Sequence, residues 1–145
     1  MRALIDTCVI VDALQSREPF CTDAQKVFLA VAHHWFDGCI TAKASADIYY
    51  LAHRTTHSDT EPRKILAKLF ALYDLLDTTA MDYRRALSST MTDYEDAVMV
   101  ETALHSGCDC IVTRNLKDYK NASIPSYSPS YSPSDFLQHI TPTEV

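Results

Sequence analysis

The sequence has few glycines and no long apolar run, and these absences exclude several classes of protein. Only two of its 145 residues are glycine, Gly38 and Gly107, so the chain has no glycine-rich loop of the kind that holds nucleotide phosphates. No apolar stretch is long enough to cross a bilayer. Arg2 and Asp6 interrupt what would have to be the core of a signal peptide. We therefore expect no membrane partner.

The chain also lacks the cysteine pattern of a disulfide-stabilised protein and the basic charge of a typical nucleic-acid binder. An odd number of cysteines favours reduced, mostly buried thiols and a cytoplasmic location. Cys108 and Cys110 are too close together for the common zinc-binding pairs, and alternation about a buried strand explains them better. The net charge of −6 argues against an extended electrostatic nucleic-acid surface. It does not exclude a nuclease, because clustered metal-binding carboxylates also make a chain acidic. The five cysteines are Cys8, Cys21, Cys39, Cys108 and Cys110.

Short apolar strands alternate with amphipathic helices along the whole chain. This alternation predicts one domain over residues 1–145, a three-layer α/β/α sandwich with a mostly parallel central sheet. We expect Thr22 to cap the second helix and Asp37 and Gly38 to end it. The predicted strands are 3–5, 39–41, 75–79 and 110–112, and the predicted helices are 7–14, 23–36, 42–54, 62–73, 82–87 and one that begins near residue 93 and ends before Gly107.

The tail contains a duplicated tetrapeptide, Ser-Tyr-Ser-Pro, at residues 126–129 and 130–133. We expect one copy to end a last edge strand. The other copy is expected to precede a helix over Ser134 to His139, with Pro133 at its first position.

Asp6 follows the first strand directly, and the candidate site is organised around it. The strand before it has no polar face, which is typical of a parallel sheet covered on both sides. In such sheets ligands bind outside the carboxyl ends of the strands. Asp6 either points into that crevice or only caps the helix that follows. The residues themselves leave these two interpretations equally open.

Further acidic residues are predicted at the same edge of the sheet. Asp118 lies in the loop after the fourth strand, and Asp47 lies early on the helix that leaves the second. Asp93 and Asp96 are three apart at the start of a helix and share a face, and for Asp93 we favour a capping role. Like charges held together destabilise a fold unless something neutralises them, and Mg²⁺ or Mn²⁺ does this well. Such a site can activate water for attack on a phosphodiester.

Each of these acids also has a structural interpretation. Asp47 fits a solvated helix face and Asp118 a turn, but independent structural roles would not require the acids to gather at one edge. Other carboxylates lack a position at a strand end and are expected to be structural (Asp12, Asp74, Asp77). Cations near the acids are candidates for contact with RNA phosphates (Lys43, Arg54, Arg114, Lys117).

Three stretches of the sequence resemble the acidic motifs of PIN-domain proteins, notably the VapC-like toxin ribonucleases. They are Leu4–Val9, Asp93–Ala97 and Ile111–Tyr119, and their order and spacing cover nearly the whole chain. The resemblance implies an endoribonuclease that depends on Mg²⁺ or Mn²⁺, is commonly dimeric and is often held inactive by a small antitoxin.

By position, the resemblance implies that Asp6, Asp96 and Asp118 are the principal metal-binding acids. Thr113 and Asn115 would orient the carboxylates, with help from Thr7, and the substrate would be contacted by Thr7, Arg114 and Lys117. The helix-borne acid of the family is typically Glu, whereas the matching residue here is Asp47. Because its side chain is one methylene shorter, Asp47 would contribute to catalysis through a water molecule.

Other functions fit the residues less well. A phosphatase of the haloacid-dehalogenase type would have a second Asp where this chain has Cys8, and a phosphorylated receiver domain would need a lysine that Lys117 matches poorly. A PIN-like nucleic-acid-binding module with little or no catalysis stays open because of the Asp47 departure. A surface around Tyr49, Tyr50 and Tyr73 is a candidate dimer contact.

Overall fold

A computed structural model shows a five-stranded parallel sheet with helices on both faces, and it describes residues 1–131 and 135. The sheet order is β3-β2-β1-β4-β5, and every neighbouring pair is parallel. The predicted three-layer α/β/α architecture is confirmed. The elements are β1 (Arg2–Ile5), α1 (Thr7–Leu14), α2 (Cys21–Ala32), β2 (Asp37–Thr41), α3 (Ala42–Thr56), α4 (Glu61–Leu72), β3 (Asp74–Leu76), α5 (Ala80–Ala86), α6 (Tyr94–His105), β4 (Cys110–Val112) and β5 (Ser126–Tyr127).

The central strand β1 divides the interior into two apolar clusters. Its residues alternate between the faces, so Ala3 and Ile5 pack with α1, α2, α3 and α4, whereas Leu4 packs with α5 and α6. Cys110 and Cys108 belong to different clusters, as the alternation predicted. Because β2 and β4 both pair with β1, the carboxyl ends of the three strands meet at one edge of the sheet.

Helix α2 differs from its prediction at both ends. It begins at Cys21, after Phe20, and has no side-chain cap, so the prediction that Thr22 is the N-cap was wrong. It ends at Ala32 because the chain turns through His34, whose φ of 56° is left-handed. The aromatic residues after Ala32 therefore belong to the turn before β2 and not to the helix.

Gly38 lies within β2, not in a helix-ending turn as predicted. A Cβ at this position would lie 2.7 Å from a ring carbon of Tyr73 and 2.7 Å from a methyl group of Val31. The glycine is therefore needed for close packing between the sheet and the helices. Tyr73 is buried in this contact and packs edge-on against Phe28, so it is not part of a surface for dimerisation.

The remaining boundaries differ by a few residues. Strand β3 is shorter than predicted because Thr79 leaves the sheet and caps α5, where its side chain and that of Asp82 form a capping box. Helix α3 runs two residues further than predicted, to Thr56, and is ended by His57 in the left-handed conformation. Gly107, with a φ of 72°, makes the turn after α6 as predicted.

The first Ser-Tyr-Ser-Pro copy contributes β5 at the sheet edge, which confirms the predicted edge strand. Apart from Asp135, the helix predicted over Ser134 to His139 lies outside the described residues. None of the helices described is long and apolar enough to span a membrane.

Candidate active site

A cavity of about 160 Å³ opens where β1 and β2 end and α1, α3 and α6 begin. Three of the five acids predicted at this edge line it, namely Asp6, Asp47 and Asp96. The remaining lining residues are Thr7, Thr41, Lys43, Ala44, Thr78, Glu95, Val98 and Met99. The fold therefore brings together acids that lie far apart in the sequence, one directly after β1 and the others on α3 and α6.

The Asp6 carboxylate is available to the cavity because it does not cap α1. Asp6 occupies the N-cap position, but its side chain makes no capping hydrogen bond. The backbone instead fixes the residue, with its N–H donating to the Val112 carbonyl at 2.9 Å and its carbonyl accepting from Val9 at 3.0 Å. Of the two interpretations that the sequence left open, the helix-capping one is therefore wrong.

Thr113 holds the Asp6 side chain in place. Its hydroxyl donates to Oδ2 of Asp6 at 2.8 Å and accepts from the backbone N–H of Asn115 at 3.1 Å. Thr113 is fully buried, so this pairing is shielded from water. Asn115 reaches Thr113 through its backbone, and among the described residues its side-chain amide donates no hydrogen bond to a carboxylate.

Asp96 lies in the first turn of α6, directly above the cap of that helix. Oδ1 of Asp93 accepts from the backbone N–H of Asp96 at 2.9 Å, so the predicted capping role of Asp93 is confirmed. Burial, together with the negative charges of Asp93, Asp6 and Asp118, raises the pKa of Asp96 to about 6. Burial and the neighbouring negative charges thus both favour the protonated form of Asp96.

Tyr119, which was not among the predicted site residues, also contacts this cluster. Its hydroxyl donates to Oδ1 of Asp96 at 3.1 Å and lies 3.3 Å from the sulfur of Met99. The ring is 2% exposed. Tyr119 is the last residue of the third motif-like stretch and follows Asp118 directly. This position was the feature of the sequence that could have placed it near the site.

Asp118 does not line the cavity that contains Asp6. It is exposed and lines a neighbouring cavity of about 340 Å³, which also includes Asp93, Lys117 and Asn121. Its charge still acts on Asp96, whose pKa it helps to raise. Asp6, Asp96 and Asp118 were predicted to gather at one site, but Asp118 lies in a separate cavity. The loop after β4 carries it past the carboxyl end of the strand.

Asp47 and Glu95 complete the acidic lining from opposite sides. Asp47 is exposed on α3 and faces the cavity. Glu95 lies on α6, and its carboxylate is 3.5 Å from the ammonium of Lys43 on α3, so this ion pair joins the two helices at the cavity. Glu95 was not among the predicted site residues.

Arg114 was predicted to contact RNA phosphates, but its guanidinium binds a carboxylate within the protein. Its Nε donates to Oδ2 of Asp12 at 2.7 Å, and its guanidinium lies 4.4 Å from the centre of the Phe20 ring. The Asp12 side chain is 1% exposed, and its other oxygen has no hydrogen-bond partner. A buried carboxylate needs its cation, so Arg114 stabilises the fold.

The donor chemistry of the cavity fits a hard divalent cation. Among the ion pairs of the described residues, none neutralises Asp6, Asp47 or Asp96 with Lys or Arg. Carboxylate oxygens are the ligands that Mg²⁺ and Mn²⁺ prefer. In residues 1–131, however, no three Asp, Glu, His or Cys side chains are close enough together to surround an ion directly. Such an ion would therefore keep water molecules in its coordination shell.

The sequence matches a known protein family over most of its length. Residues 2–117 match the family described as PIN domain. The chain belongs to the PIN-domain family. The matched region contains Asp6, Asp47 and Asp96, while Asp118 follows its last residue. No curated protein matches this PIN domain in sequence.

Solved structures share the fold of this PIN domain. VapBC2 from Rickettsia felis, bound to a DNA fragment from its promoter, matches with a TM-score of 0.64 and 14% identity over 88% of this chain and 98% of that one. A toxin–antitoxin complex from Klebsiella pneumoniae matches with a TM-score of 0.65 and 20% identity over 90% and 99%. FitAcB from Neisseria gonorrhoeae matches with a TM-score of 0.62 and 17% identity over 90% and 99%.

Proposed function

We propose that this PIN domain is an endoribonuclease that depends on Mg²⁺ or Mn²⁺ and is the toxin of a toxin–antitoxin pair. PIN domains are typically nucleases. The observation that supports the proposal best is the meeting of Asp6, Asp47 and Asp96 on one cavity at the carboxyl edge of the sheet. Within the part of the chain that the structure describes, no Lys or Arg side chain forms an ion pair with any of them.

The position of each acid determines the role that we propose for it. Asp6 and Asp96 would hold the ion, because they are the most buried acids of the cavity. Asp47 and Asp118 would act through water molecules, since the first has a short side chain and the second lies in the adjacent cavity. A bound divalent cation supplies an activated water and offsets negative charge on the phosphate.

Other residues around the acids would either orient the carboxylates or contact the substrate. Thr113 holds Oδ2 of Asp6 and would thereby fix the orientation of this carboxylate toward the ion. Asn115 would support this arrangement through its N–H to Thr113. Thr7 and Lys43 line the cavity and Lys117 lines the adjacent one, so these residues would contact RNA phosphates.

We propose a small antitoxin protein as the partner, because structural neighbours of this chain were solved as toxin–antitoxin complexes. A homodimer in the cytoplasm is the assembly we expect, with Tyr50, which is 72% exposed, and its neighbour Tyr49 in the contact. Co-expression with the product of the adjacent reading frame tests the antitoxin. A stable complex that suppresses RNA cleavage supports the toxin role, and a neighbour that neither binds nor inhibits contradicts it.

A second candidate is a PIN-like module that binds nucleic acid without cleaving it. Two observations favour this alternative. Among the described residues no three acids are close enough together to hold an ion directly, and Asp47 is exposed and one methylene shorter than the Glu that is typical of the family. The two functions are separated by treating the purified protein with a chelator, titrating Mn²⁺ by calorimetry and following a fluorescent RNA. The nuclease predicts Mn²⁺ binding and cleavage that the chelator abolishes. The binding module predicts RNA retention without cleavage at any Mn²⁺ concentration.

A further inference from the structure

The duplicated tetrapeptide supplies the edge strand β5 with two copies of the same sequence. Residues 125–130 read Pro-Ser-Tyr-Ser-Pro-Ser, and residues 129–134 repeat the same series. A shift of the chain by four residues therefore replaces each residue of the strand by an identical one. Because four is an even number, every side chain would also stay on the same face of the sheet. The sequence thus permits two registers of β5 against β4.

The hydrogen bonds that hold β5 are the same for either copy. The backbone N–H groups of Ile111 and Thr113 donate to the carbonyls of Pro125 and Tyr127, each at 2.9 Å. The residues four positions further along the chain are again a proline and a tyrosine. The same two N–H groups would therefore find equivalent acceptors after the shift.

The second copy lies beside the first in the observed structure. The backbone N–H of Tyr131 donates to the Ser128 carbonyl at 3.1 Å, so the chain turns back after the strand. The ring of Tyr131 packs against that of Tyr127, with a distance of 5.8 Å between the ring centres. The tyrosine that would replace Tyr127 in the strand is therefore already next to it.

Ile124 distinguishes the two registers. It precedes the first copy, is 6% exposed and packs in the apolar cluster under α5 and α6. The residue that precedes the second copy is Ser128, so the shift would withdraw an isoleucine from the core and put a serine in its place. Burial of the isoleucine favours the observed register, whereas four extra residues in the preceding loop cost little.

We propose that β5 exchanges between these two registers, with the shifted one as the minor state, and that the exchange regulates the acidic site. The loop between β4 and β5 carries Asp118 and Tyr119, and the shift makes this loop four residues longer. Without Ile124 as an anchor, the loop releases the hydrogen bond from Tyr119 to Asp96. The effect on the site rests on the proposed nuclease function, whereas the exchange itself does not.

The variant Ile124→Ser tests the exchange, because it makes the residues before the two copies identical. Amide hydrogen exchange of the full-length chain is followed residue by residue by NMR. We expect the N–H of Ala122, which is bonded to the Tyr119 carbonyl, to exchange many-fold faster than in the wild type. The N–H groups of Ile111 and Thr113 should stay protected, because the second copy accepts from them. Unchanged exchange at Ala122, or an equal loss of protection at all three amides, overturns the proposal.

Deleting residues 130–133 from the Ile124→Ser chain provides the matched control. One copy of the six-residue series remains, and a shift would now put Asp135 where the strand has Tyr127. The shifted register is therefore disfavoured, and protection of the loop and of the β4 amides should rise or fall together. If Ala122 loses protection on its own in this variant as well, the two copies do not cause the effect and the proposal is wrong.

The link to the acidic site has a separate readout. Mn²⁺ binding, measured by calorimetry, should weaken in Ile124→Ser and recover when residues 130–133 are also deleted. Equal Mn²⁺ affinity of the two variants would contradict the regulation, although the hydrogen-exchange pattern would still establish the two registers. If the wild type binds no Mn²⁺, the proposed nuclease function fails, and the hydrogen-exchange result still decides whether β5 changes register.

Discussion

The hydroxyl of Thr113 donates a hydrogen bond of 2.8 Å to Oδ2 of Asp6, although the two residues are 107 positions apart in the sequence. The pairing of β1 with β4 explains this contact, because Ile5 is the register partner of Val112 and each polar residue follows directly. Parallel strands that end together deliver their next side chains to the same point. The hydrogen bond that orients the candidate metal ligand is therefore a consequence of strand register.

Replacing Thr113 by Val removes the donor to Asp6 and leaves the buried carboxylate with one partner fewer. We expect a loss of about 1–2 kcal/mol in the free energy of unfolding, measured by urea denaturation, and weaker Mn²⁺ binding by calorimetry. Thr113→Ser keeps the hydroxyl and serves as the control. Unchanged Mn²⁺ affinity in Thr113→Val would show that the threonine does not orient the site.

Replacing Tyr119 by Phe removes the hydroxyl that donates to Asp96 and keeps the buried ring. We expect Mn²⁺ affinity and the catalytic rate to fall, with a change of about 1 kcal/mol in stability. Tyr94→Phe is the matched control, because the Tyr94 hydroxyl donates to a backbone carbonyl, that of Tyr83, at 3.0 Å. An equal effect of both variants on Mn²⁺ affinity would mean that Tyr119 has only a general structural role.

The raised pKa of Asp96 predicts a pH dependence of stability in the absence of metal. In the unfolded chain this carboxyl titrates near 3.8, and in the folded protein near 6, so the folded state binds the proton more tightly. Its stabilising contribution is present at pH below the unfolded value and is lost as the pH rises through about 6.

Asp96→Asn should remove this loss, because the amide does not titrate. Urea denaturation with a chelator present, compared between about pH 4 and about pH 7.5, measures the effect. The variant should gain stability relative to the wild type as the pH rises. A constant difference between the two proteins across this range would contradict the electrostatic description of the site.

Removing the charge of Arg114 should destabilise the protein without a specific effect on RNA binding. Arg114→Gln leaves the buried Asp12 carboxylate unpaired, which costs about 3 kcal/mol in typical cases. Asp12→Asn in the Arg114→Gln background should restore much of the stability. The opposite result, in which Arg114→Gln keeps the stability but weakens RNA binding, would show that Arg114 contacts the substrate.

The fold and the positions of several acids could be predicted from the sequence because they depend on local features of the chain. Strand ends and helix starts are local features, so the position of Asp6 after β1 and the cap at Asp93 followed from neighbouring residues and from apolar periodicity. The resemblance to PIN domains, which the family match confirms, added the order of the motifs.

Side-chain partners were less predictable, because they depend on contacts between distant segments. Nothing near Arg114 in the sequence indicates that Asp12 lies beside it. The position of Tyr119 after Asp118 places it near the site but does not indicate that its hydroxyl binds Asp96. The path of the loop after β4 likewise determines that Asp118 faces the neighbouring cavity.

The most direct test of the acidic site is RNA cleavage by Asp96→Asn in the presence of Mn²⁺. Asp37→Asn is the matched control, since Asp37 is an exposed aspartate at the amino end of β2, at the opposite edge of the sheet. With both variants folded by circular dichroism, we predict that Asp96→Asn cleaves at background level and that Asp37→Asn cleaves like the wild type. Cleavage by Asp96→Asn at the wild-type rate would contradict the account.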